Sequence, residues 1–154
     1  ILDVHGAAFG DEDIRRLARE LHGSDVYVPD LSFVAVSDGD VVGHVMNTWS
    51  EVEGSTARLL QLSPLGVTPE RQGEGFGSAL VRASIDGARR AGQPALLVEG
   101  NPKYYGRFGF VRADELGLLP PLEALYDWAF QVIVLDEGVE LPQGRVIYSE
   151  PFRR

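Results

Sequence analysis

The segment Leu59 to Leu80, LLQLSPLGVTPERQGEGFGSAL, constrains this chain more than any other. Leu59, Leu60, Leu62, Leu65 and Val67 read as an apolar strand, and Pro69 stops it. Gly73, Gly75 and Gly77 then leave the backbone bare where a helix begins. The first N–H groups of a helix have no intrahelical partner, and the macrodipole adds partial positive charge there. Glycines let a bulky anion approach those donors, so the segment predicts a phosphate or pyrophosphate cradle. The bland alternative is a Gly-rich turn that holds nothing.

Known cradles can be told apart by their side chains. A nucleoside-triphosphate loop needs GxxxxGK[ST], and the sole lysine of the chain is the distant Lys103. A dinucleotide site needs GxGxxG and an acid about 20 residues further on. Counted from Gly73, the third position is Ser78, and the region for the acid reads Arg89-Arg90-Ala91-Gly92-Gln93-Pro94. Neither pattern fits. Gln72, Gly75 and Gly77 in QGEGFG, with Pro69 upstream, instead resemble the acyl-CoA cradle of the GNAT N-acyltransferase superfamily, [QR]xxGx[GA] after a strand.

A second segment, Val98 to Phe110 (VEGNPKYYGRFGF), points the same way. Ala95 to Val98 reads as a strand. Asn101 can cap a helix, Pro102 suits its first position, and Gly109 can end it. Tyr105, four residues ahead of the Gly109-Phe110 pair, resembles the second GNAT signature. The string NPxYYxRFGF is similar to a bacterial subgroup of predicted N-acetyltransferases, and a looser likeness runs from Ala8-Phe9-Gly10 to Tyr148.

Composition agrees with one globular domain over residues 1–154: 44% of the residues are apolar, ordinary for a folded core. The absence of cysteine removes disulfides, thiolate nucleophiles and cysteine-based metal sites. No run of about 18 apolar residues is present to span a bilayer, and no signal-peptide pattern is visible, so a cytoplasmic protein is expected. The sequence starts at Ile1 rather than methionine, which leaves room for a preceding segment or first strand. A net charge of −9 argues against nucleic acid or an anionic membrane as partner and suits a cationic substrate such as an amine. His5 and His22 lack the spacing of metal ligands, so no metal is expected.

Periodicity predicts a helix over Asp11–Leu21, a hairpin of Leu31–Val36 and Val41–Trp49, and a helix over 76–91 whose Ala79, Leu80, Ala83 and Ala88 face the sheet. A loop is expected over Gly117–Pro121, a half-buried strand over Tyr126–Leu135, and a last strand over Arg145–Ser149. Strands 59–67 and 95–99 enclose a helix and should lie parallel. The plan is α+β (mixed α/β). The resemblance implies the GNAT acyl-CoA N-acyltransferase fold, a central mixed twisted sheet with splayed central strands and flanking helices.

It also implies acetyl-CoA as co-substrate and transfer of the acetyl group directly to a primary amine. The pyrophosphate would lie on Gln72, Gly73, Glu74, Gly75, Phe76, Gly77 and Ser78. The pantetheine amides would pair with Leu65, Gly66 and Val67, where Pro64 suits an interrupted strand. Asn101, Tyr105 and Phe108 would complete the cofactor contacts. Tyr105 is the candidate general acid, because a phenol with pKa near about 10 holds its proton at neutral pH; the alternative is that Tyr104, Tyr105 and Phe108 simply pack. Glu99, at a strand end, is a candidate base or cation attractor, with His44 and the weaker Asp127 as other bases. The family leaves room for a homodimer. A non-catalytic acyl-CoA-binding or sensing domain is the competing function, and it would not need Tyr105.

Overall fold

Residues 12–150 are described by the computed structural model; His5, Ala8-Phe9-Gly10 and Asp11 lie outside them. The chain runs α1 (Glu12–His22), β1 (Phe33–Ser37), β2 (Asp40–Val52), β3 (Arg58–Val67), α2 (Phe76–Arg90), β4 (Ala95–Glu99) and α3 (Pro102–Tyr105). It continues through β5 (Val111–Arg112), β6 (Leu118–Leu119), β7 (Phe130–Val134) and β8 (Gly144–Ile147). The contacts gather these elements into two units, one built from residues 12–48 and 62–87, the other from 49–61 and 88–150.

In the first unit, β1 and β2 form an antiparallel hairpin around Asp38 (φ 53°) and Gly39 (φ 82°). Two consecutive positive φ values are what a two-residue type I′ turn requires, and Asp-Gly supplies them. The hairpin differs from expectation at its ends: Leu31 instead closes a 3-10 helix, Pro29–Leu31, and β2 runs on past Trp49 to Val52. Helix α2 packs tightly here. A Cβ on Gly43 would sit 2.9 Å from Leu80 Cδ1, and one on Gly87 2.9 Å from Phe33 Cζ. Buried Asn47 donates through Nδ2 to the Leu31 carbonyl and, at 3.0 Å, to Ser84 Oγ, which ties β2 to α2. The buried side of α2 is Leu80, Val81, Ser84, Ile85 and Ala88. Ala79, expected on that side, is exposed because it lies in the first turn beside the glycine loop.

In the second unit the strand order is β5-β7-β4-β3-β2-β8-β6. The predicted parallel pair is present, with Leu60 opposite Leu96 and Gln61 opposite Leu97. β4 pairs antiparallel with β7 along its whole length, and Ala95 to Val98 are all buried. One face of this sheet carries Val52, Leu59, Ala95, Leu97, Phe130, Val132, Val146 and Tyr148 as a continuous apolar cluster.

The region after α3 differs most from expectation. In place of a loop over 117–121 there is a short strand, Leu118–Leu119, and in place of a long strand from Tyr126 there is a 3-10 helix, Asp127–Ala129, before β7. The alternation Tyr126, Trp128, Phe130 mimics a strand. However, Tyr126 and Trp128 are 57% and 47% exposed and stack on each other, centroids 5.0 Å apart. Their period of two comes from a tight turn, closed by Ala129 N–H donating to the Tyr126 carbonyl at 3.1 Å, and not from a pleat.

Candidate active site

The glycine loop follows a 3-10 turn, Pro69–Arg71, that ends β3 as the proline requires. Arg71 holds the loop in shape. Its guanidinium bonds Ser37 Oγ, lies 3.7 Å from the Asp38 carboxylate and 3.1 Å from Glu74, and covers the Phe76 ring at 5.3 Å. The one acid in the predicted anion cradle is therefore countered by a neighbouring cation. Gln72 Nε2 donates to the Val67 carbonyl at 3.1 Å, so that side chain closes the loop on the strand end.

Gly73 and Gly75 have φ of 82° and 91°, and a Cβ built on either meets nothing within 4 Å. Left-handed backbone demands glycine there, and the space above it is open. Gly75 then accepts the first helical bond of α2, from Ala79 N at 3.0 Å. Phe76, Gly77 and Ser78 form the first turn, whose N–H groups have no intrahelical acceptor. The cradle, with Leu65, Gly66 and Val67 leading into it, fits a pyrophosphate. Its bare backbone is the space a side chain would fill, and its dipole has the right sign.

The second group of residues starts where β4 ends. Glu99 is exposed, yet the protein around its carboxylate removes enough water to raise its pKa, and a hydrogen bond from Tyr148 pulls the other way. Gly100 follows, held by its N–H on the Ala129 carbonyl (2.9 Å) and by Gln131 Nε2 on its own carbonyl (3.1 Å). The Tyr105 ring lies directly over Gly100: a Cβ there would be 2.5 Å from Tyr105 Cε2. Asn101 Oδ1 accepts from Lys103 N at 2.9 Å, the predicted N-cap. The helix continues as a 3-10 turn, Gly106–Phe108, and stops at Gly109 with φ 105°.

Tyr105 meets Tyr104 and Phe110 edge-on, at 5.0 and 5.7 Å, while Tyr104 and Phe108 share the expected i, i+4 contact at 5.5 Å. Burial, and then the neighbouring Tyr104, push the Tyr105 phenol up to about 12. It holds its proton throughout the physiological range.

The candidate bases part company. His44 is 2% exposed within β2, and burial lowers its pKa to about 4, so it is neutral at pH 7 and a weak proton acceptor. Asp127 opens the 3-10 helix before β7. Glu99 alone combines an open position with a raised pKa. Sequence reasoning missed Gly100, Gln131, Gln61 and Tyr148. The available signal for Gln61 and Gln131 was a glutamine inside an otherwise apolar strand, where a polar side chain needs a partner.

A family model described as an acetyltransferase (GNAT) domain matches residues 1–113. The chain belongs to the GNAT acetyltransferase family. It is 36% identical over 112 residues to the uncharacterized N-acetyltransferase YjhQ of Escherichia coli, a match covering 71% of this chain and 62% of that protein. The chain thus spans less than two thirds of that relative. Among solved structures, the GNAT N-acetyltransferase YhbS of Escherichia coli in complex with CoA superposes with a TM-score of 0.86 at 29% identity, over 99% of this chain and 84% of that one. A GNAT acetyltransferase of Brucella melitensis in complex with acetyl-CoA gives a TM-score of 0.78 at 30% identity, over 99% and 89%. The GNAT fold expected from the two motifs is therefore present. Among the described residues no helix is long and apolar enough to cross a membrane.

Proposed function

We propose that this chain is an N-acetyltransferase that moves an acetyl group from acetyl-CoA directly to a primary amine. The observation that carries the reading is the pair of positive-φ glycines with open space above them at the start of α2. The relatives solved with CoA and acetyl-CoA support it. Bound acetyl-CoA supplies the activated acyl carbon. Gly73 to Gly77 hold its pyrophosphate, and Leu65 to Val67 offer backbone to its amides. Glu99 Oε accepts the proton that the acceptor ammonium must lose, its raised pKa making it a better base than an ordinary carboxylate. Tyr105 Oη keeps a proton to give to the departing sulfur. With no cysteine and no GxSxG elbow, no residue is marked to carry the acetyl group covalently. The reading needs no metal, and its co-substrate favours a cytoplasmic site of action.

Acetyl-CoA, ATP and NAD titrated separately by calorimetry, followed by thiol release with a panel of amines, test this reading. Binding of acetyl-CoA alone and amine-dependent thiol release are expected. Tight binding without release for any amine would favour a sensing domain, and binding of ATP or NAD in its place would remove the cradle assignment.

A further inference from the structure

A row of polar side chains crosses the apolar face of the second unit's sheet. β2 and β8 pair with Glu51 opposite Ile147 and Val52 opposite Val146, so the next step of the register sets Ser50 opposite Tyr148. On the other side, Gln61 of β3 lies opposite Leu97 of β4, two residues before Glu99. Ser50, Gln61 and Tyr148 are 2%, 1% and 5% exposed, too buried to be satisfied by water. They satisfy each other. Ser50 Oγ donates to Gln61 Oε1 at 2.6 Å. The Gln61 amide donates to the Tyr148 oxygen, and the Tyr148 hydroxyl donates to the Glu99 carboxylate. The Tyr148 ring is wedged edge-on against Phe130, centroids 6.3 Å apart, and Phe130 is the β7 partner of Glu99.

Each link removes a freedom from the next. Ser50 consumes the Gln61 carbonyl oxygen, which turns its NH₂ toward Tyr148 and fixes which end of the amide is the donor. A tyrosine oxygen that already accepts from Gln61 has one proton left to direct, and burial with the nearby Glu99 charge keeps that proton on.

We infer that Tyr148 is a positioning residue for Glu99, its hydroxyl locked by the buried Ser50–Gln61 pair so that one carboxylate oxygen is held and the other is presented outward. The inference rests on the reading of Glu99 as the base that deprotonates the amine. It assigns a role to three residues that neither GNAT motif contains. Around Glu99, β7 contributes the uncharged Phe130, and the residues after β8 contribute Tyr148. Glu123 adds negative charge on the Tyr148 side.

Tyr148→Phe is the test, since it keeps the ring on Phe130 and removes only the hydroxyl. The lost hydrogen bond stabilised the charged carboxylate. The Glu99 midpoint, followed by carboxyl-labelled NMR, should therefore rise by about half to one pH unit, the size of one ordinary hydrogen bond. The acid limb of kcat/KM for thiol release should move up by the same amount, with acetyl-CoA affinity unchanged. Gln61→Leu, which touches Tyr148 and not Glu99, should move the midpoint in the same direction by less, and it serves if Tyr148→Phe does not fold. A Glu99 midpoint unmoved in a folded variant overturns the inference. Glu99→Gln separates it from the reading beneath. Full thiol release by that variant, with the NMR midpoint still moved by Tyr148→Phe, would remove the base and leave the positioning intact.

Discussion

Tyr105 owes its place to a residue with no side chain. Its ring fills the position that a Cβ of Gly100 would take, and Gly100 is itself pinned between the Ala129 and Gln131 hydrogen bonds. Such pinning is what a proton donor needs, because a small misplacement weakens transfer steeply. Tyr105→Phe keeps the ring and deletes the hydroxyl. If that hydroxyl protonates the leaving sulfur, kcat should fall by roughly 10²–10⁴ while acetyl-CoA affinity stays constant. A CoA thiolate leaves more readily than an amine would, so the lower end of that span is expected. With the phenol pushed up to about 12, its loss of the proton should not appear as an alkaline limb below pH 11 or so. A packed ring with no chemical part to play would leave kcat on the true acceptor unaltered, and steady-state thiol release decides between the two.

Among the elements, the start of α2 was the most legible in sequence, because its signals are local: a proline stop, spaced glycines, then a helical pattern. The same holds for the Asp38-Gly39 hairpin and the Asn101-Pro102 cap, each set by the φ range or hydrogen bond of one or two residues. The region 117–129 was misread because one local pattern serves two structures. Tyr126 and Trp128 stack on each other across a 3-10 turn, and their spacing of two is also that of a strand. The Ser50–Gln61–Tyr148 row was invisible in one dimension, since its members come from three segments and meet through sheet register. For the cradle, the local logic makes a direct prediction. Gly75→Asp puts a Cβ on a φ of 91° and a negative charge beside a predicted pyrophosphate. The strain should cost about 1–2 kcal/mol of stability, and acetyl-CoA affinity should fall at least tenfold at low salt. Because nothing lies within 4 Å of that Cβ, the fold should survive. Calorimetry showing wild-type affinity in the folded variant would take the loop out of the binding site.

At the scale of the whole molecule, the buried His44 makes folding sensitive to mild acid in a sense opposite to the acidic surface. The chain carries 23 acidic and 14 basic residues, and lowering the pH from 7 toward 5 reduces its net charge of −9. That change relieves self-repulsion and by itself favours the compact state. His44 opposes it. Burial takes the imidazole from an ordinary 6.5 to about 4 in the folded chain. The unfolded chain therefore binds a proton that the folded chain refuses between those values. The stabilisation is fully present above pH 6.5 and is lost as the pH falls toward 4. Its full size is about 3 kcal/mol from the two pKa values, or roughly 6–12 °C in Tm for a chain of this length. His44→Gln keeps a polar side chain on β2 and removes the titration. Its Tm at pH 7 should be lower than wild type, because a tailored buried group is lost. However, its Tm should decline much less between pH 7 and 4.5, and calorimetric melts at half-unit steps would trace the difference. Equal declines in the two proteins would mean that His44 takes up its proton without unfolding the strand around it.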